Sequence, residues 1–139
     1  MKILVAEDDF ASRKMMKRFL EPYGEVDVVV DGEEAVEAFK LSWDEHAPYS
    51  VIFMDIMMPK MDGHEAIRQI RAYEQLLSVT PVDEVKIVMA TVLEDPKNVI
   101  DAYYKSGATS YLVKPIDRER LRDELARLGI PEREAGVDG

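Results

Sequence analysis

The 139-residue chain contains no cysteine, so it has no disulfide, no thiol nucleophile and no zinc–thiolate site. Its 18 Lys and Arg are outnumbered by 28 Asp and Glu, which gives a formal net charge of −10 at pH 7. Nucleic-acid binding needs a basic patch, so this balance argues against direct contact with nucleic acid. No apolar run approaches the ~20 residues that span a membrane, and Met1 leads into strand-like sequence without a signal peptide. We therefore expect a cytoplasmic protein with no membrane association.

Apolar, strand-like runs alternate along the chain with amphipathic stretches of helical periodicity. The runs predict five strands, at Lys2–Ala6, Val26–Val30, Val51–Met54, Lys86–Ala90 and Ser110–Val113. The amphipathic stretches predict five helices, at Ala11–Glu21, Glu33–Trp43, Gly63–Leu77, Pro96–Ser106 and Asp117–Leu128. Such βα units in series predict a doubly wound α/β fold with a five-stranded parallel sheet. We expect one domain over residues 1–128, with residues 129–139 as a C-terminal tail or the start of a linker.

Carboxylates directly follow two of the predicted strands. Asp8 and Asp9 come after the first strand, and Asp55 comes after Val51–Met54. The carboxyl ends of parallel strands meet at one edge of the sheet, where ligands bind in open α/β folds. Three carboxylates in one crevice repel one another unless a proton or a cation is present, and oxygen ligands of this kind suit Mg²⁺. Asp9 also stands where the first helix would take its N-cap, which leaves a second role open for it.

Two further polar side chains are expected at the same edge. Thr91 follows the fourth predicted strand, and Lys114, with Pro115 next in the chain, follows the fifth. A carboxylate beside Mg²⁺ can attack phosphorus and form an acyl phosphate, and this transfer needs mainly in-line positioning and neutralisation of charge. Lys114 can supply a positive partner, and the Thr91 hydroxyl can supply a hydrogen bond. Together these residues form a set that is complete for phosphoryl transfer.

In this order and spacing, the motifs resemble the receiver domain of two-component response regulators. The resemblance covers about residues 1–128 and is carried by Glu7-Asp8-Asp9, the segment Asp55-Ile56-Met57-Met58-Pro59-Lys60-Met61-Asp62-Gly63, Ala90-Thr91 and Tyr111-Leu112-Val113-Lys114-Pro115. It implies a flavodoxin-like sheet with strand order 2-1-3-4-5, similar to the single-domain chemotaxis-type receivers. It also implies a phosphoacceptor switch in signal transduction rather than a turnover enzyme.

The resemblance assigns roles around the predicted phosphoacceptor. Asp55 would be phosphorylated by a histidine kinase or a histidine phosphotransfer protein. Mg²⁺ would be the cofactor, held by three carboxylates and one backbone carbonyl, those of Asp8, Asp9, Asp55 and Met57. Thr91 and Lys114 would contact the phosphoryl group.

The resemblance also implies how a signal would leave the domain. Thr91 and the aromatic Tyr111 would form the switch, and Lys114–Pro115 would be a cis peptide bond, which is accessible at low cost only before proline. Output would pass through a face made by the fourth helix, the fifth strand and the fifth helix. This face would include Tyr103 or Tyr104, Lys105, Tyr111 and the charged side of Asp117–Arg127. The partner would be a downstream protein target or an output domain. The mixed charges of this face also suit a phosphorylation-dependent homodimer.

Two other protein classes share part of the pattern. A haloacid-dehalogenase-like phosphatase also uses a strand-end Asp and Mg²⁺, but it carries a second Asp two positions later, where this chain has Met57. A flavodoxin-like electron carrier has a phosphate loop rich in Ser, Thr and Gly after its first strand, whereas Glu7-Asp8-Asp9 would repel a flavin phosphate. The switch is favoured over both. It could be a complete single-domain regulator or the receiver part of a larger regulator or hybrid kinase.

Overall fold

The computed structural model describes residues 1–92 and 107–132. Within these residues the strands are β1 (Lys2–Ala6), β2 (Glu25–Val29), β3 (Val51–Asp55), β4 (Lys86–Thr91) and β5 (Ser110–Val113). The α-helices there are α1 (Phe10–Leu20), α2 (Gly32–Asp44), α3 (Gly63–Leu76) and α4 (Arg118–Arg127), and a 3-10 helix spans Glu21–Tyr23. Of the five predicted helices, the one at Pro96–Ser106 lies outside the described residues.

The five strands form one parallel sheet in the order β2-β1-β3-β4-β5. The predicted doubly wound α/β fold and its strand order are therefore confirmed. Parallel pairing brings the ends of the strands into register, with Asp55 beside Ala90 and Thr91 beside Val113. The predicted strand-end residues consequently lie at a single edge of the sheet.

Each of the four described α-helices begins at an aspartate. The aspartate carboxylate accepts a hydrogen bond from the backbone amide three residues later, which satisfies one of the free N–H groups of the first turn. The N-cap residues are Asp9, Asp31, Asp62 and Asp117. The helices predicted over Glu33–Trp43 and Gly63–Leu77 therefore begin after the caps Asp31 and Asp62. The described helices and strands begin and end within one residue of the predicted bounds.

The sheet separates two apolar layers because successive side chains of a strand point to opposite faces. The layer under α2 and α3 includes Leu4, Ile52, Met54, Phe39 and Ile70. The layer under α1 and α4 includes Ile3, Val5, Phe53, Leu20 and Leu125. Ile130 is also buried in the second layer, so the packed part of the chain extends beyond Leu128, where the predicted domain ends. In the part of the chain that the structure describes, no helix is long and apolar enough to cross a membrane.

Two glycines allow the loop after β3 to pack tightly against its neighbours. A Cβ on Gly63 would lie 2.5 Å from the Asp55 carbonyl oxygen, and one on Gly32 would lie 2.3 Å from the Met61 carbonyl oxygen. No side chain fits at either distance. The starts of α2 and α3 therefore rest directly on residues 55–62, and this contact fixes the backbone around Asp55.

Candidate functional site

Three carboxylates meet at the carboxyl end of the sheet. Glu7, Asp8 and Asp55 each offer one oxygen, and these oxygens all lie within 4.8 Å of one another. Asp55 ends β3 and is 5% exposed, Glu7 follows β1 and is 4% exposed, and Asp8 faces solvent. A cluster of oxygen ligands with one open side suits a hard divalent cation that keeps some of its water.

The β1–α1 turn differs from the sequence-based expectation at Asp9. The sequence predicts Asp9 as a metal ligand, but its Oδ2 accepts a hydrogen bond from the Ser12 amide at 2.8 Å and caps α1. Glu7 takes its place among the clustered acids. The Glu7 amide still donates to the Val29 carbonyl at 3.1 Å, so Glu7 continues the line of β1 and its side chain reaches the strand edge. The sequence signal for Glu7 was its position directly after the last strand residue.

Lys114 approaches this cluster from the end of β5. Its Nζ donates to Glu7 Oε1 at 2.7 Å and lies 3.4 Å from Asp55 Oδ2. Its backbone amide donates to the Thr91 carbonyl at 2.7 Å, and the Lys114–Pro115 peptide bond is cis. The structure thus brings the predicted Lys114 together with the predicted Asp55 and with Glu7.

Burial and mutual contact shift the pKa values of Glu7, Asp55 and Lys114. Burial raises the pKa of the Asp55 carboxyl to about 7, and the neighbouring Glu7 adds to the rise because two carboxylates so close resist sharing two negative charges. Burial alone would also raise the pKa of Glu7, but hydrogen bonds from Lys114, Asp55 and the Asp9 amide outweigh it and lower that pKa. The pKa of Lys114 is raised, because its two acidic neighbours overcome the effect of burial. Without a bound cation, Glu7 therefore keeps its negative charge more readily than Asp55, and Asp55 keeps its proton to a higher pH than an ordinary aspartate.

Three further predicted site residues lie in β4, in the loop after β3 and in β5. Thr91 is buried at the end of β4, where its Oγ1 donates to the Val92 carbonyl at 3.3 Å. The Met57 amide donates to Asp55 Oδ1 at 3.2 Å, while the Met57 side chain is 76% exposed. Tyr111 is half-buried in β5 and pairs with Met89, two residues before Thr91. Tyr103, Tyr104 and Lys105, named for the output face, lie outside the described residues.

A parallel α/β sheet in this strand order, with an acid cluster and a lysine at its carboxyl edge, defines a two-component receiver. The chain belongs to the response regulator receiver domain family, whose model matches residues 3–126. It is 32% identical to the two-component response regulator ORR41 of Oryza sativa subsp. japonica, with 93% of this chain and 94% of the relative covered. It is also 32% identical to the chemotaxis protein CheY of Listeria monocytogenes, with 91% of this chain and 97% of the relative covered.

Receivers within much longer proteins are similar to the chain as well. It is 34% identical to part of the osmosensing histidine protein kinase SLN1 of Saccharomyces cerevisiae, but it spans only 10% of that protein while 89% of this chain is covered. Among solved structures, the receiver domain of the histidine kinase CKI1 from Arabidopsis thaliana, complexed with Mg²⁺, matches with a TM-score of 0.76 and 27% identity, covering 91% of this chain and 90% of the other. The chemotaxis protein CheY4 of Vibrio cholerae matches with a TM-score of 0.74 and 30% identity, covering 91% and 96%.

Proposed function

We propose that this receiver domain is a Mg²⁺-dependent phosphoacceptor switch that is phosphorylated on Asp55. The observation that carries the proposal is the placement of Asp55. It is a nearly buried carboxylate at a strand end, with Glu7 and Asp8 on one side and the Lys114 ammonium 3.4 Å from its Oδ2. Such a group can act as a nucleophile toward phosphorus once its proton is displaced and the charge around it is balanced.

The residues that would hold Mg²⁺ are Glu7, Asp8 and Asp55, with the Met57 carbonyl as a fourth ligand that the family resemblance implies. The donor set fits the ion because all three side chains present carboxylate oxygens within one small volume. The similar receiver from Arabidopsis thaliana was solved in complex with Mg²⁺, and also with Mg²⁺ and BeF₃⁻. When bound, the ion would neutralise charge on the phosphoryl oxygens.

The transfer itself would form one bond and break another. An Asp55 carboxylate oxygen attacks phosphorus, the P–O bond forms, and the P–N bond to the donor's histidine breaks with its electron pair left on the imidazole. Lys114 already lies beside Asp55, so its ammonium can pair with the new phosphoryl oxygens. The Thr91 hydroxyl donates a long hydrogen bond of 3.3 Å to the Val92 carbonyl, which it can exchange for one to the phosphoryl group.

The proposed partners follow from this chemistry and from the relatives. The donor would be a histidine kinase or a histidine phosphotransfer protein, and the recipient of the signal would be a downstream protein target or an output domain. The chain would act in the cytoplasm as a signalling domain rather than as an enzyme with turnover. Its similarity both to short regulators and to parts of histidine kinases is compatible with either a single-domain regulator or a receiver within a larger protein.

The test is phosphorylation by a small donor. Incubation with acetyl phosphate and Mg²⁺ should add one phosphoryl group to the chain, measured as intact mass. Asp55→Asn should abolish the addition, whereas Asp123→Asn, which removes an exposed acid from α4, should retain it. Labelling of Asp55→Asn at the same stoichiometry as the parent would overturn the assignment.

A further inference from the structure

The turn between β1 and α1 carries two of the three clustered acids, and a side chain from the first turns of α1 holds its backbone. Arg13 Nη1 donates to the Glu7 carbonyl at 3.0 Å and to the Asp8 carbonyl at 3.2 Å. The guanidinium carbon of Arg13 lies 5.6 Å from the centroid of the Phe10 ring. A single guanidinium group thus bridges the two consecutive residues whose side chains face Asp55.

The side chain of Glu7 is fixed at both of its oxygens. Lys114 donates to Oε1 at 2.7 Å, and the Asp9 amide donates to Oε2 at 3.1 Å. The backbone below this side chain is fixed by Arg13 through the Glu7 carbonyl. The exposed Asp8 receives the same backbone support at its own carbonyl.

From this geometry we infer that Arg13 is a positioning residue for the cation site: it holds the backbone from which Glu7 and Asp8 reach the ion. The inference rests on the proposed function, because it concerns the Mg²⁺ that the acid cluster would bind. Arg13 offers no lone pair and cannot itself be a ligand. Groups that orient metal ligands commonly affect metal affinity by about tenfold or more.

The direction of the change in Mg²⁺ affinity distinguishes a positioning role of Arg13 from a purely electrostatic one. A guanidinium near a cation site repels the incoming ion, so removing its charge alone would strengthen Mg²⁺ binding. Removing the two hydrogen bonds to the turn would instead free the Glu7 and Asp8 backbone and weaken Mg²⁺ binding. Positioning and charge therefore predict changes in opposite directions for Arg13→Ala.

The experiment measures the Mg²⁺ dissociation constant of the full chain by isothermal titration calorimetry at constant pH and ionic strength. Arg13→Ala should raise this constant about tenfold, and Arg13→Lys should fall between Arg13→Ala and the parent. Arg13→Met keeps the aliphatic stem against Phe10 but removes both donors, so it should match Arg13→Ala and decides the question if the alanine variant does not fold. Lys14→Ala removes an equal charge from an exposed neighbouring position and should not weaken binding.

Phosphorylation by acetyl phosphate gives a second readout. The Mg²⁺ concentration for half-maximal rate should rise in Arg13→Ala, while the rate at saturating Mg²⁺ stays within about twofold of the parent, because the nucleophile Asp55 is unchanged. Unchanged or tighter Mg²⁺ binding by Arg13→Ala or Arg13→Met would overturn the inference and leave the proposed function intact. Absence of Mg²⁺ binding by the parent would overturn the proposed function and this inference with it.

Discussion

Lys114 and Glu7 are 107 positions apart in the sequence, yet Lys114 Nζ donates to Glu7 Oε1 at 2.7 Å. The side chains are 25% and 6% exposed, respectively, so this ion pair is largely removed from water. The ammonium lies closer to Glu7 than to Asp55, whose Oδ2 is 3.4 Å away. The positive charge of Lys114 therefore offsets the negative charge of Glu7 more than that of Asp55, which agrees with the raised pKa of Asp55.

Substitutions at Glu7 and Asp9 should have different effects. The first should change Mg²⁺ affinity, and the second should change the stability of the fold. Glu7→Gln should weaken Mg²⁺ binding by about tenfold or more, because it removes a charged ligand. Asp9→Ala should change Mg²⁺ affinity little but should lower the free energy of unfolding through loss of the α1 cap. Calorimetric Mg²⁺ titration and urea unfolding measure the two quantities. Asp9→Asn, which keeps a good cap, is the control; a loss of Mg²⁺ affinity in both Asp9 variants equal to that of Glu7→Gln would make Asp9 the ligand.

The raised pKa of Asp55 should make metal-free stability depend on pH. The folded chain holds this proton more tightly than the unfolded chain, so its stabilising effect is present at low pH and is lost as pH rises through about 7. Asp55→Asn removes the titration, so the stability of this variant relative to the parent should increase by about 2–3 kcal/mol between pH 5 and pH 8. His64, whose pKa is lowered mainly by burial, is common to both proteins and cancels in the difference. Urea unfolding without Mg²⁺ measures the gain, and a difference that is constant over this range would contradict the prediction.

The sequence was sufficient for the strands and helices because periodicity is a local signal, and parallel pairing then places Asp55 and Thr91 at one edge. The strand order came from the family resemblance. It was not sufficient to distinguish Glu7 from Asp9. Three consecutive acids follow β1, and the choice between them depends on a hydrogen bond from the Glu7 amide to the Val29 carbonyl of a neighbouring strand. Glu74 was missed for a similar reason. A glutamate in an amphipathic helix is typical of a solvent-facing position, but Glu74 is 1% exposed. One of its partners, the Val85 amide, lies outside the helix at the start of the next strand region, which helix periodicity does not reveal.

The buried Glu74 should be important for stability and unimportant for the site. Its Oε2 accepts from the Val85 amide at 2.7 Å, and its Oε1 accepts from Arg71 Nη1 at 2.7 Å. Glu74→Ala leaves the Arg71 charge and the Val85 amide without this partner and should cost about 3 kcal/mol in urea unfolding. Gln75→Ala, at an exposed neighbouring position, should cost less than about 0.5 kcal/mol. A cost below about 1 kcal/mol for Glu74→Ala, or a changed Mg²⁺ affinity, would refute this assignment.

After two of the described helices, the chain continues with a residue that has a positive φ but is not glycine. Glycine at either position should increase the stability of the fold. Ser78 follows α3 with φ 59°, and His46 follows α2 with φ 57°. Each lies at the helix end where glycine adopts this conformation without a Cβ penalty, as Gly129 does after α4 with φ 81°. Ser78→Gly and His46→Gly should each raise the free energy of unfolding by about 0.5–1 kcal/mol. Gly129→Ala should lower it although nothing lies within 4 Å of the added Cβ, and a stabilising effect there would argue against the conformational cause.

The switch should be visible as a change in β5 and α4 when Asp55 carries a phosphoryl mimic. Beryllofluoride with Mg²⁺ would place negative charge and acceptor atoms at Asp55, and Thr91, at the end of the adjacent β4, would exchange its hydrogen bond to Val92 for the new acceptor. Tyr111 lies half-buried in the next strand, so movement of Thr91 would alter the packing around its ring.

Amide hydrogen exchange across residues 91–128 should therefore differ with and without beryllofluoride. Thr91→Ala should bind the mimic but reduce that difference at least about twofold, because it lacks the hydroxyl that would couple Asp55 to the neighbouring strand. Sedimentation of the same samples tests whether the altered face also forms a homodimer. The control is Asp55→Asn, which should show no response to beryllofluoride. If the exchange pattern of the parent protein does not change when beryllofluoride is demonstrably bound, the predicted switch is wrong, whatever the oligomeric state.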